Sequence, residues 1–202
     1  MEEFDSKQVF ESELVFDAEL RFVAHLKFLA LACEDKCPDA SWISPKYQAI
    51  AAELGRLPEL VVQHIEDNNY GSGYASFIEI RLAQRGVAPA ERGNYEVTPY
   101  ISVLVCKFAP LAALIGTAEY AIAKDGKSSS FALPAADRLC LKHTWDPQAR
   151  VQEVLEGYGY QLLDPAIAGE QLPHGLTVST ILGEGGGYES DTIFDAWFHW
   201  LD

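Results

Sequence analysis

Apolar and polar residues alternate between Phe16 and Phe28, where every even-numbered position is apolar. A period of two is typical of a half-buried strand. The Ala, Leu and Glu content favours a helix instead, and the segment is much longer than a usual strand of about 5–6 residues. We therefore predict a helix over residues 12–35, and a strand is the alternative.

Two shorter helices are predicted after this segment. Ser44 and Pro45 suit the N-cap and first position of a helix over 45–54, and Gly55 would end it. Leu57-Pro58-Glu59 would open a second helix that ends near Asn68, because Leu60, Val61, His64 and Ile65 have helical spacing. Residues 1–70 thus form the helix-rich part of the predicted fold.

The pattern changes to strands in the part that follows, residues 71–202. Alternation predicts strands over 77–82 and 95–108, with Pro99 at an edge or a bulge. Residues 111–115 and 119–123 would continue the meander around a turn at Gly116, and 147–156 would be a helix. These elements predict one α+β domain spanning 1–202. Its antiparallel or mixed sheet, mainly 76–123 and 159–201, would be covered by helices from the N-terminal third.

The carboxyl-terminal run alternates as well. The even-numbered positions hold Phe194, Ala196, Phe198 and Trp200, and the odd-numbered positions hold Asp195, Trp197 and His199. This pattern favours a half-buried strand in which the second set points outward. A helix over the same residues is one alternative, and a Trp197 that packs under the amino-terminal helix is another.

The segments 150–164 and 192–202 together resemble small bacterial immunity proteins of polymorphic-toxin systems. The first reads RVQEVLEGYGYQLLD and the second TIFDAWFHWLD, with Trp197 where Leu is commoner. The resemblance covers about 50 residues and consists mainly of apolar patterning. It implies a non-enzymatic protein that binds and blocks a cognate toxin, often through acidic residues. It transfers no individual site residue.

Charge is distributed unevenly along the chain. The net charge is −15, and residues 151–202 hold nine carboxylates but no Lys or Arg. Such a surface repels nucleic acid and acidic membranes and attracts a basic protein. A solubility role alone is the other interpretation. For a docking role, the predicted contacts are the acids and aromatic anchors of this region: Glu184, Tyr188, Glu189, Asp191, Asp195 and Trp197.

No motif indicates catalysis, a metal or a cofactor. The glycine run 183–187 lies among acids, which would oppose a phosphate. The histidines are scattered, and Cys33 and Cys37 lack the spacing of a zinc site. All four cysteines are predicted to be buried thiols. We predict a protein that is not an enzyme. The alternative is a small hydrolase or small-molecule-binding domain whose site assembles from distant residues.

The sequence favours a cytoplasmic protein. Its first residues lack the basic and apolar regions of a secretory signal. Its longest apolar stretch, 108–118, contains Pro110 and is about half the length of a membrane helix.

Overall fold

The chain divides into two compact units, Met1–Ala40 and Ser41–Asp202. The computed structural model describes only residues of the second unit. The described residues are 44–69, 74–107, 109–126, 129–130, 147–172, 178–179, 189–190 and 192–201. The predicted helix at 12–35 and the cysteines at 33, 37 and 140 lie outside this part. Cys106 is buried, as predicted.

Along the described residues, one helix precedes seven successive strands, and three helices with four short strands follow. The helices are α1 (Ser44–Leu54), α2 (Gln148–Gly157), α3 (Pro165–Ala168) and α4 (Ile193–Trp197). The longer strands are β1 (Leu60–Glu66), β3 (Phe77–Gln84), β5 (Tyr95–Cys106) and β6 (Leu111–Ala123). The short strands are β2 (Tyr74–Ala75), β4 (Ala90–Arg92), β7 (Ser129–Ser130), β8 (Gln161–Leu162), β9 (Val178–Ser179), β10 (Glu189–Ser190) and β11 (Trp200–Leu201).

Within the described residues, seven strands form one mixed sheet. Its order is β1-β3-β5-β6-β7, with β4 paired to β5 and β8 paired to β6. The pairs are antiparallel except for β6 with β8, which is parallel. The predicted α+β class and mixed sheet are therefore confirmed, as are the helix at 45–54, the strand at 77–82 and the helix at 147–156.

The β5–β6 hairpin explains the positions of Gly116 and Pro99. β6 is one strand of 13 residues, so the predicted turn at Gly116 is wrong. The register shifts between Tyr100 and Ser102, which places Gly116 in a β-bulge. On the other side of β5, β4 pairs up to Val97 and β3 pairs from Ile101. Pro99 lies between these two ladders, where its missing N–H breaks neither of them.

β1 replaces the helix predicted after residue 57. Its residues pair antiparallel with β3, from Leu60 opposite Gln84 to Glu66 opposite Glu79. The β-branched residues Val61, Val62 and Ile65 suit a pleated sheet. The prediction was wrong because the same spacing of apolar residues fits a helix and a strand, and pairing with β3 decides between them.

α1 and α2 cover one face of the sheet. Ile50 and Leu54 of α1 and Val151 and Leu155 of α2 are fully buried. They belong to one core cluster with residues of β3, β5 and β6, among them Ile80, Leu82, Val103, Val105 and Leu114. The i, i+4 spacing of the apolar pair in each helix produces the stripe that faces the sheet.

The carboxyl-terminal quarter contributes less to the large sheet than predicted. Of the described residues between 159 and 201, only β8 joins it, while β9 pairs with β10 and β11 pairs with β2. The predicted terminal strand over 194–200 is wrong, because α4 occupies Ile193–Trp197 and leaves β11 only two residues.

Tyr160 offers a test of the packing beneath α2. Its ring is in the core cluster, and its hydroxyl is buried without a hydrogen-bond partner in the described part of the chain. Burial raises the pKa of Tyr160 to about 12. An unpaired buried hydroxyl is unfavourable, so Tyr160→Phe should raise the free energy of unfolding by up to about 1 kcal/mol in urea denaturation.

The neighbouring Tyr158 supplies the matched control. Its hydroxyl donates to Glu53 Oε2 at 3.0 Å, so Tyr158→Phe should lower stability. A Tyr160→Phe protein that is clearly less stable than the wild type would mean that the Tyr160 hydroxyl has a partner, such as a buried water.

Candidate functional site

Most of the predicted partner contacts lie beyond the described structure. Glu184, Tyr188 and Asp191 are outside the described residues, and only the backbone of Glu189 is described, in β10 opposite Ser179. For these four residues, a role in partner binding stays a prediction.

Asp195 and Trp197 do not point outward as predicted. Asp195 is 4% exposed and Trp197 is 3% exposed. Both lie in α4, where successive side chains no longer alternate between two faces. The predicted outward stripe of Asp195, Trp197 and His199 is therefore wrong, and these side chains are not surface contacts in this structure.

A capping interaction at Thr192 explains why α4 forms. The Thr192 hydroxyl accepts a hydrogen bond from the Asp195 backbone N–H at 3.2 Å and donates to the Asp195 carboxylate. A Thr followed three residues later by an acid, before an apolar run, is a helix-start signal in the sequence. This signal could have identified α4, but the alternation of residues 194–200 obscured it.

Ser76 fixes the end of the chain to the sheet. Its hydroxyl donates to the Trp197 carbonyl and accepts from the His199 N–H, each at 2.8 Å. Its backbone N–H donates to the His199 carbonyl at 2.9 Å. Phe198 packs between Phe194, 5.2 Å away, and Phe77, 6.2 Å away, as measured between ring centroids. The aromatic terminus is therefore part of the core.

His199 is buried with this segment. Burial lowers the pKa of His199 below its ordinary value of 6.5, although backbone contacts at Ala196 and Asp195 and the Asp195 charge oppose the shift. The imidazole is therefore neutral at pH 7. This environment suits a core histidine that packs in its uncharged form.

A loss of stability at mildly acidic pH should follow from this burial. Below pH 6.5 the unfolded chain binds a proton at His199 that the folded chain disfavours. Folding stability contributed by His199 is therefore present above pH 6.5 and lost as pH falls. Urea midpoints at mildly acidic and neutral pH should differ more for the wild type than for His199→Gln. An equal pH dependence in both proteins would contradict this assignment.

A buried polar cluster on β3 and β5 was missed in the sequence. Glu79 is 0% exposed and Arg81 is 5% exposed. Arg81 donates to Glu79 Oε2 from Nε at 3.1 Å and from Nη2 at 2.9 Å, and Ser102 donates to Glu79 Oε1. The Arg81 guanidinium also lies over the Tyr100 ring, 5.3 Å from its centroid. Alternation placed Glu79 and Arg81 on one face of β3 but gave no sign that this face is buried.

This polar cluster has the properties of a structural ion pair. Its carboxylate and guanidinium are paired and closed to solvent, as buried charges in folded proteins usually are. A substrate could not reach Glu79 without an opening of the fold.

The described residues contain no group of three or more His, Cys, Asp and Glu side chains that could hold a metal ion. None of the helices in this part of the chain has the length and hydrophobicity that a bilayer-spanning helix requires.

Among the described residues of the last quarter, accessible carboxylates lie on and after α2. Glu153, Glu156 and Glu170 are exposed, and Asp164 is partly buried at the N-cap of α3. The three exposed side chains, Glu153, Glu156 and Glu170, are available to a macromolecule without a change in the fold.

Comparison of the chain with known protein families, characterised proteins and solved structures gives no match. The resemblance to immunity proteins therefore stays a hypothesis based on the residues quoted for it.

Proposed function

We propose that this protein binds and sequesters a basic protein without catalysing a reaction, and that its partner is a bacterial toxin domain. The observation that carries the proposal is the last quarter of the chain, with nine carboxylates and neither Lys nor Arg. A negative field of this kind accelerates encounter with a cationic protein and disfavours anionic ones.

The exposure of acids in the described part supports this proposal. Glu153, Glu156 and Glu170 project from a rigid scaffold in which α2 is held to the sheet through Val151 and Leu155. The backbone that carries these acids is already folded before binding, so binding loses less conformational entropy than it would for an unfolded segment.

The proposed contact set changes with the burial of the carboxyl-terminal run. Glu184, Tyr188, Glu189 and Asp191 remain as proposed contacts, and Tyr188 is the aromatic anchor among them. Asp195 and Trp197 leave the set because they are buried. They are assigned instead to holding the terminus in place.

Affinity capture from the native lysate tests the proposal. A basic protein should be recovered at low salt, and its retention should fall steeply as salt is raised, because exposed charges are screened. A partner that is not basic, or that is retained equally at high salt, would contradict the electrostatic argument. Co-purification of a small molecule without a protein would favour the alternative, a small hydrolase or small-molecule-binding domain.

Matched charge variants test which carboxylates contact the partner. Glu184→Gln, Glu189→Gln and Asp191→Asn combined should weaken capture. The control combines Glu91→Gln, Glu96→Gln and Asp125→Asn, three exposed acids near the β4–β5 and β6–β7 turns, and makes the same change in net charge. Equal weakening by both sets would show that total charge matters and that the proposed face does not.

A further inference from the structure

A polar cavity of about 320 Å³ lies between α2 and the chain that follows it. Gln148, Gln152 and Glu156 line one side at i, i+4 and i+8, the face of α2 beside its buried stripe. Gln161 of β8 and Asp164 at the start of α3 line the other side, and leucines and a proline contribute apolar walls. The volume is at the lower end of the range for small-ligand sites.

The lining of this cavity is rich in hydrogen-bond acceptors and negative charge. Its described lining residues include two carboxylates and three amides, but neither Lys nor Arg. Glu156 Oε1 accepts from Gln152 Nε2 at 2.7 Å, and Asp164 Oδ1 accepts from the Ala166 N–H at 2.9 Å. The bond from Gln152 is that of a neutral amide, so it orients the Glu156 carboxylate without neutralising it.

Gln148 gives independent evidence that the cavity lacks a hydrogen-bond donor. Its Oε1 atom is buried and has no hydrogen-bond partner in the described part of the chain. A buried acceptor that stays unpaired is unfavourable, because it has lost its hydrogen bonds to water. A bound group that brings N–H donors into the cavity would remove this cost.

We propose that the cavity is a binding site for a guanidinium group. A guanidinium carries one positive charge and five N–H donors in a rigid plane, so it can satisfy several acceptors at once. Its alkyl stem would lie on the apolar walls. The group belongs either to an arginine side chain of a protein partner or to a free small guanidine. Only the first of these sources rests on the proposed function.

The direct test is an NMR titration of the ¹⁵N-labelled full chain with N-acetyl-arginine amide. Saturable shifts of the side-chain amide signals of Gln148, Gln152 and Gln161 are expected. N-acetyl-citrulline amide has nearly the same shape without the charge, and it should bind about tenfold more weakly or worse, because hydrogen bonds to charged groups are the stronger ones. Equal binding of the two probes would overturn the proposal.

Two variants separate the cavity from general surface charge. Glu156→Gln should weaken binding of the arginine probe about tenfold, the effect of losing one charge-assisted hydrogen bond. Glu153→Gln changes the same charge on the same helix but outside the cavity lining, and it should leave binding unchanged. Equal loss in both variants would mean that the probe binds the acidic surface and not the cavity.

Gln148→Met keeps the length of the side chain and removes its acceptor. It should also weaken binding of the probe, and it should not unfold the protein because no described hydrogen bond is lost. Unchanged binding would remove Gln148 from the site and contradict the argument from its unpaired oxygen.

Capture with the Glu156→Gln chain distinguishes the two sources of the guanidinium. Weaker recovery of the basic protein would assign the cavity to an arginine of that partner. Probe binding without any captured protein would retain the cavity site for a free guanidine and reject the proposed function. Capture without probe binding would retain the proposed function and reject the cavity site.

Discussion

Arg81→Met is expected to lower the free energy of unfolding by about 3–5 kcal/mol, because it leaves Glu79 buried without its guanidinium partner. Glu79 is 0% exposed, so water cannot replace the lost bonds without an opening of the fold. The methionine retains most of the apolar stem, which limits the loss from packing, but it loses the contact of the guanidinium with the Tyr100 ring. Urea denaturation followed by tryptophan fluorescence measures the change.

The double variant Glu79→Gln with Arg81→Met is the control for this interpretation. It removes both charges, and the glutamine can still accept from Ser102, whose hydroxyl contacts Glu79 in the wild type. It should therefore be more stable than Arg81→Met alone, since the penalty comes from the unpaired charge. If the second change lowers stability further, the cost comes from lost packing and the ion-pair argument is wrong.

The strand that carries this pair shows how much alternation predicts. The pattern of residues 77–82 identified β3 and its two faces correctly. Polar residues on a strand usually face solvent, but Glu79 and Arg81 are buried. Segments distant in sequence determine whether the face of β3 that carries Glu79 and Arg81 is covered. A local pattern therefore could not predict the burial of this pair.

β1 and α4 show a different reason for failure. Leu60, Val61 and Ile65 have a spacing that fits both helix and strand, and only the pairing with β3 settles it. In α4 the alternation favoured a strand, although Thr192 and Asp195 supplied a helix cap. Local capping prevailed because the Thr192 hydroxyl satisfies the backbone N–H of Asp195. β2 is only two residues long, so a strand paired with it would have left this N–H outside the sheet.

The candidate site was less predictable than the fold. Charge counts identified the last quarter as acidic, but they did not separate exposed acids such as Glu156 from the buried Asp195. The cavity beside α2 requires β8 to pair with β6, a parallel contact between segments about 50 residues apart. No short motif encodes such a pairing, so the cavity could only be identified in the structure.

Trp197→Ala should lower the free energy of unfolding by about 3–5 kcal/mol, the usual cost of removing a buried aromatic side chain. Trp197 is 3% exposed, and its carbonyl accepts from Ser76 Oγ and from Cys106 Sγ, at 2.8 Å and 3.5 Å. The cavity left by the indole would also loosen the hold of Ser76 on the terminus. Thermal and urea denaturation should both report the loss.

Tyr95→Ala is the control, because it truncates an aromatic residue that is 42% exposed. It should cost less than about 1 kcal/mol, as truncations at exposed strand positions do.

The contrast between Trp197→Ala and Tyr95→Ala also decides between two roles for Trp197. A surface anchor for a partner would lose affinity on truncation and keep its stability. A core residue loses stability first, and any loss of partner binding then follows from the displaced terminus. A Trp197→Ala protein as stable as the wild type would therefore contradict the assignment of Trp197 to the core.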